Sequence, residues 1–351
     1  MATLKLADPI FLMCSERSGS NLITKMFDAH PEVAAPGTSH LFRVFAEIGW
    51  TYHKNHSDLR RDLLAMFAAK VGSWLVDDFP QGKQEELLEG ASSAAEMIAA
   101  LMNAEREAAG KAFFFVREDS IYSFIPFLES VSVRPRYVYM VRDPRNMAAS
   151  WQKAAVLRGG IVRASRRWLQ DQEGFLKALS WLDGTRPIAR LTYEELIADP
   201  DATLRRVCHD LNLPYSADML EFDTRSRSAQ ADAQRASAWS NLSRPVLQED
   251  SRKFLTELSD DQLAFVEYLC GPLMETLGYA KARDATRSPF GSCDSFEEVS
   301  ALLSRIEPWD KTEYMNLPAE ERARFENWST VYDRLKQRAR RLLPDRSDAN
   351  V

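Results

Sequence analysis

Cysteine is scarce in this 351-residue sequence: Cys14, Cys208, Cys270 and Cys293 stand far apart, with no C-x-x-C pair and no histidines at ligand spacing. That pattern excludes a disulfide framework and a zinc site, so no metal is expected and the setting reads as reducing and cytoplasmic. Basic charge is also short. With 45 Lys and Arg against 51 Asp and Glu, the formal charge is −6. No long-range field is available to draw in nucleic acid or an anionic membrane, and any anion must be held by local cations. Long apolar runs are missing as well. Ile10–Cys14 is far too short for a signal core or a membrane span, and Met1–Asp8 carries no basic leader. No internal repeat is present.

What is present is 45% hydrophobic and 10% aromatic content, enough to bury one large α/β domain with elaborations. Ile10–Cys14 reads as a buried strand that runs through Ser15-Glu16-Arg17-Ser18-Gly19-Ser20 into a helix with Leu22, Ile23, Met26 and Phe27 on one face. His30-Pro31 ends that helix. Ala112–Val116 predicts a second strand and a helix from Ser120 to Val131 follows it. Arg136–Val141 predicts a third strand, leading through Arg142-Asp143-Pro144-Arg145 into a helix over Asn146–Leu157. Ile188–Leu191 predicts a fourth, before a helix over Tyr193–Ala198. Strands and helices alternating at this spacing imply a parallel sheet covered on both faces. Two regions fall outside the alternation. Residues 43–111 form a helical insertion, either a packing subdomain or the lid of an acceptor pocket. Residues 281–351 form a helical C-terminal extension with a basic amphipathic end, suited to a solvated helix, a membrane or partner surface, or a dimer contact.

A strand, a small-residue turn and a helix make an anion cradle, because unpaired N–H groups and the helix dipole converge there. A nucleotide triphosphatase needs G-x-x-x-x-G-K-[ST]; here Ser20 follows Gly19, and a cysteine stands where the first glycine belongs. ATP hydrolysis is disfavoured. Phe11 to Leu22 instead resembles the 5′-phosphosulfate loop of sulfotransferases that use 3′-phosphoadenosine 5′-phosphosulfate (PAPS), in its R-S-G-[ST] form. The resemblance implies a P-loop-like α/β fold, with Arg17 at the bridging oxygen and Ser18, Gly19, Ser20 and Asn21 around the 5′-phosphate. A cation fixed there stabilises charge that develops on the leaving oxygen. Tyr137 to Trp151 is similar to the family's 3′-phosphate element, which implies that Arg142 and Ser150, eight positions apart, hold that phosphate. Leu191 to Leu196 resembles the R-Y-E-[DE]-L segment and places Tyr193 near the adenine or in the core. Trp239 to Val246 resembles the loop that closes over the nucleotide, which would bring Arg244 to the 3′-phosphate. Leu269 to Tyr279 resembles the closing L-G-Y helix.

Attack by a hydroxyl also requires a base. Relatives of this type place a glutamate in P-x-E-x-H, whereas Pro36-Gly37-Thr38-Ser39-His40 has Thr38 in that position and keeps His40. Others carry the base after the second strand, where this chain has Arg117-Glu118-Asp119, with Arg117 near the sulfonate. His40, Glu118 and Asp119 all stand as candidates. The expected acceptor is a small-molecule, lipid-like or polyketide-like hydroxyl compound, less favourably an amine. Two rival readings are a P-loop kinase and a nucleotide-binding module without catalysis, the second motivated by Thr38.

Overall fold

The computed structural model describes residues 4–52, 55–80, 82–246, 252–282, 288–307 and 311–342. Among these residues seven strands are formed: β1 (Leu6–Ala7), β2 (Pro9–Cys14), β3 (Val33–Ala34), β4 (Phe113–Arg117), β5 (Ser132–Val133), β6 (Arg136–Val141) and β7 (Ile188–Thr192). Five of them build one sheet in the order β3-β4-β2-β6-β7, with every pairing parallel. β1 and β5 pair separately.

β2 is apolar at every position because both faces of the sheet are covered. Side chains alternate across the strand. Ile10, Leu12 and Cys14 enter a core with Ile23, Met26 and Phe27 of the helix Ser20–Ala29. Phe11 and Met13 enter the opposite core, where Phe42 and Phe45 of the insertion lie. Phe27 stacks on Phe115 at 4.5 Å, while Phe11 meets Phe42 edge-on at 5.9 Å.

From β2 the chain crosses to the β3–β4 side, and later to β6 and β7 on the other. The crevice at the carboxyl ends of β2 and β6 is therefore a topological switch point, the usual ligand position in open parallel sheets. Register makes the two tips level, with Cys14 opposite Met140. The turns after both strands consequently lie side by side.

The insertion contains the helices Leu41–Ile48, His56–Ala68 and Ala94–Ala108. Ser93 caps the last of these, accepting from Glu96 N, and Met97, Ile98, Leu101 and Met102 are buried on its inner face. The predicted helix over Asn146–Leu157 is shorter in fact, spanning Pro144–Gln152. Three-residue turns, Ala154 N to Trp151 O and Leu157 N to Ala154 O, replace helical bonding beyond it. The helix expected from Ser120 starts as a 3₁₀ turn, Ile121–Phe124, before Ile125–Val131. After Tyr279 the tail packs back onto the domain. Leu302, Ile306, Val331, Leu335 and Ala339 join the same core as the insertion. The basic end of the terminal helix Ala319–Leu342 does not stand free, since Arg338 pairs with Asp58 and Asp62. Among the described residues, no helix is long and apolar enough to cross a membrane.

Candidate active site

The loop leaving β2 turns sharply. Arg17 (φ 61°) and Gly19 (φ 89°) both adopt left-handed backbone. At Gly19 the requirement is double, because a Cβ there would lie 2.3 Å from Cδ2 of Tyr193. The helix Ser20–Ala29 then starts with no side-chain cap and no acidic residue in its first turn. Its amino-terminal N–H groups and partial positive charge are left for a ligand.

At the neighbouring tip, Arg142 donates from Nη1 to Arg17 O at 2.8 Å and lies 4.2 Å from the centre of the Tyr193 ring. Asp143 caps the next helix by accepting from Arg145 N at 2.9 Å. That helix carries Ser150 back to Arg17, whose Nε donates to Ser150 Oγ at 3.2 Å. The far end of the domain fixes this corner: Tyr279 donates to Glu194 at 2.9 Å, and Glu194 accepts from Asp143 N at 3.2 Å.

Arg17, Gly19, Ser20, Asn21, Arg142, Ser150 and Tyr193 line one open cavity of about 450 Å³. Arg117 enters it from the tip of β4, donating to Ser20 Oγ at 2.9 Å and to Thr38 Oγ1 at 2.7 Å. Burial, together with the charges of Arg142 and Arg117, lowers the Arg17 pKa from its usual value. Within the same cradle Arg142 Nε and Ser18 Oγ are buried with no partner. Crowded guanidinium groups, orphaned donors and an uncapped helix start are costly together unless an anion neutralises them. A bisphosphorylated nucleotide with a sulfonate fits that set of donors.

The candidate bases cluster beside the cavity rather than on its lining. His40, in left-handed backbone, has Nδ1 3.8 Å from Asp119 Oδ2 and 4.0 Å from Glu118 Oε2. Burial pushes the His40 pKa down to about 4, with Arg43 and Arg117 adding to the shift and Asp119 opposing it. Glu118 is pushed up to about 8 by burial and by the neighbouring Asp119 charge. For Asp119 burial acts upward, but His40, Arg117, Arg43 and Arg167 outweigh it and hold the carboxyl below its ordinary value. At neutral pH the imidazole is thus neutral, Glu118 carries its proton and Asp119 is ionised.

Arg244 is exposed and lies outside the cavity lining, although Trp239 and Asn241 of the same segment belong to it. Sequence reasoning missed Glu16, Asn146, Lys153, Lys253 and Phe325, which also line the cavity. Glu16 sits inside the recognised loop. Burial and the Asp119 charge raise its pKa to about 7, against the pull of Arg167, Arg117 and Arg43. Phe325 gave no signal, being one aromatic on a helix nearly fifty residues beyond the last motif. Among the described residues, no group of three or more His, Cys, Asp or Glu is placed to hold a metal ion.

Sheet, loop and arginine cluster define an α/β protein with an arginine-lined cavity at the carboxyl edge of its parallel sheet. The chain belongs to the Sulfotransferase family, whose profile matches residues 9–217, and it is on that ground a sulfuryl-transfer enzyme. Its fold is similar to the sulfotransferase domain from the curacin biosynthetic pathway, at 17% identity and a TM-score of 0.57, covering 79% of this chain and 99% of that one. It is also similar to the sulfotransferase domain of the Synechococcus PCC 7002 olefin synthase, at 17% identity and a TM-score of 0.54, covering 79% and 96%. No curated protein sequence matches the chain.

Proposed function

We propose that this enzyme transfers a sulfuryl group from PAPS to the hydroxyl of a small, lipid-like or polyketide-like acceptor, less favourably to an amine, and releases 3′,5′-diphosphoadenosine (PAP). The observation that carries this reading is the convergence of Arg17, Arg117 and Arg142 on one cavity that also contains the unpartnered Arg142 Nε. In this reading Ser18, Gly19, Ser20 and Asn21 hold the 5′-phosphate, Arg142 and Ser150 the 3′-phosphate, and Tyr193 the adenine side. Arg244 is assigned to loop closure over the 3′-phosphate, a role that requires the Ser237–Ser243 segment to move inward.

In the transfer, the acceptor oxygen forms a bond to sulfur as the bond from sulfur to the 5′-phosphate oxygen breaks. The electron pair leaves with that oxygen, where Arg17 stabilises it. The acceptor proton passes to His40, and Asp119 stabilises the imidazolium that results. Glu118, being protonated, is assigned a supporting role unless the bound state ionises it.

We read residues 1–280 as the catalytic domain, with the insertion over 43–111 as a wall of the acceptor site, and residues 281–351 as an extension built onto it. Phe296, 81% exposed, and Met315, 59% exposed, support a homodimer contact on the tail helices. The four unpaired cysteines support a cytoplasmic location.

The test is to incubate the protein with labelled PAPS and cell extract, and to identify the compound that gains sulfate. Tighter binding of ATP with magnesium than of PAP would overturn the reading in favour of a kinase. Tight PAP binding without turnover on any acceptor would favour a binding module.

A further inference from the structure

The terminal helix Ala319–Leu342 contributes Phe325 to the cavity lining and is held toward both ends. Toward its start, buried Glu321 accepts from Ser237 N at 3.0 Å and from Ser237 Oγ at 3.1 Å. Arg324 donates to Arg235 O at 3.1 Å. These bonds join the helix to the segment that supplies Trp239 and Asn241 to the cavity. Toward its other end, Lys336 pairs with Glu47 at 3.2 Å, and Arg338 with Asp58 at 2.5 Å and Asp62 at 3.2 Å. Those partners all belong to the insertion.

Between the two anchor points the inner face of the helix is aromatic. Phe325 lines the cavity. One turn on, Trp328 meets the His40 ring edge-on at 5.1 Å and is braced from behind by Tyr332, stacked at 5.1 Å. Trp328 Nε1 is buried with no hydrogen-bond partner, while the His40 ring beside it turns Nδ1 toward Asp119 and Glu118 without a hydrogen bond to either. An indole donor and an imidazole lying together beside an aromatic wall suit an acceptor with a flat apolar body and a single hydroxyl.

We infer that Phe325 and Trp328 form the acceptor-facing wall of the site and set its preference for flat, apolar hydroxyl compounds of the phenol class. The inference rests on the sulfotransferase reading, because it takes the nucleotide to fill the arginine side of the cavity and the acceptor to enter on the His40 side. Here the extension is a substrate-selecting part of the enzyme rather than an appendage.

The test uses the full chain saturated with PAP, titrated with 2-naphthol and followed by naphthol fluorescence. Phe325→Ala and Trp328→Ala should each weaken naphthol binding about tenfold, while PAP affinity measured by calorimetry stays within about threefold. Trp328→Phe, which keeps an aromatic ring, should restore most of the naphthol affinity. If the wild-type protein binds PAP but naphthol binds equally well to all variants, or to none including wild type, the wall assignment is overturned and the donor reading stands. If wild-type protein does not bind PAP, the donor reading itself fails and takes this inference with it. Should either alanine variant lose PAP as well, Trp328→Phe and Phe325→Leu decide by the same naphthol criterion.

Discussion

The pH dependence of turnover divides the candidate bases into two groups, because the structure holds His40 and Asp119 low and raises Glu16 and Glu118. A general base works only when deprotonated, and below its pKa the rate falls about tenfold per pH unit. His40 is held down to about 4, whereas Glu16 is raised to about 7 and Glu118 to about 8. With His40 or Asp119 as base, kcat/KM for labelled PAPS should be nearly flat from pH 5 to pH 7, changing by less than about twofold, and the His40→Asn variant then separates the two. With Glu16 it should rise about fiftyfold over that interval, and with Glu118 about ninetyfold. Bound PAPS brings negative charge beside the imidazole and favours its protonated form, so the acid limb of kcat should lie above that of kcat/KM. The sign is the same for both: activity is lost as pH falls. The companion measurement is His40→Asn, chosen because asparagine tolerates the left-handed backbone at this position. It should lower kcat by a factor of about 10² to 10⁴ and leave PAP affinity in place. A rise of fiftyfold or more between pH 5 and pH 7 would refute His40, and comparison of Glu16→Gln with Glu118→Gln would then assign the base.

Arg142→Ala should weaken PAP by about a hundredfold or more in calorimetry while the far-ultraviolet circular dichroism is unchanged, since a charged partner of a phosphate is lost; unaltered affinity would remove the 3′-phosphate assignment. Arg17→Ala should lower kcat more than it weakens PAPS binding, because its charge is needed most as the leaving oxygen develops; equal losses would reduce its role to positioning. Glu118 has a folded pKa of about 8, raised from 4.5, so the folded state binds the extra proton. Its contribution is fully present below the unfolded value and declines as pH rises toward the folded one. Glu118→Gln should therefore gain melting temperature relative to wild type at pH 7.5 but not at pH 4, and an equal difference at both would show that Glu118 ionises freely in the folded protein.

How much of this was legible in the residues follows from the kind of signal each carries. β2 and β6 could be read because strands covered on both faces are continuous apolar runs. The loops after them could be read because both resemble the family's phosphate elements and stand in matching order on strand-turn-helix units, although each motif alone is ordinary. β1, β3 and β5 have two residues each, too few to show any alternation. The early end of the helix Pro144–Gln152 was hidden because Val156 and Leu157 continue a helical apolar pattern, while both in fact line the cavity. The terminal helix displayed an apolar face and a basic end, but periodicity states only that a face is covered, not by what. Its partners Glu47, Asp58 and Asp62 lie about 280 residues earlier in the chain, and such pairings have no local trace.

Thr38, which departs from the expected glutamate, has a physical account once Arg117 is placed. The guanidinium of Arg117 stands between two fields of opposite sign, with Arg17 and Arg142 on the donor side, and Glu16, Glu118 and Asp119 on the other. Thr38 Oγ1 accepts the Arg117 Nη1 bond at 2.7 Å without bringing a charge. A carboxylate at position 38 would pair with Arg117 and crowd a further acid against Glu118, whose pKa burial and the Asp119 charge already raise to about 8. With threonine there, Arg117 is oriented by a neutral partner, and no further carboxylate competes with Asp119, which faces His40. In the proposed mechanism the acid–base function that the glutamate would serve falls instead to His40, two residues further on, with Asp119 beyond the end of β4 facing its ring.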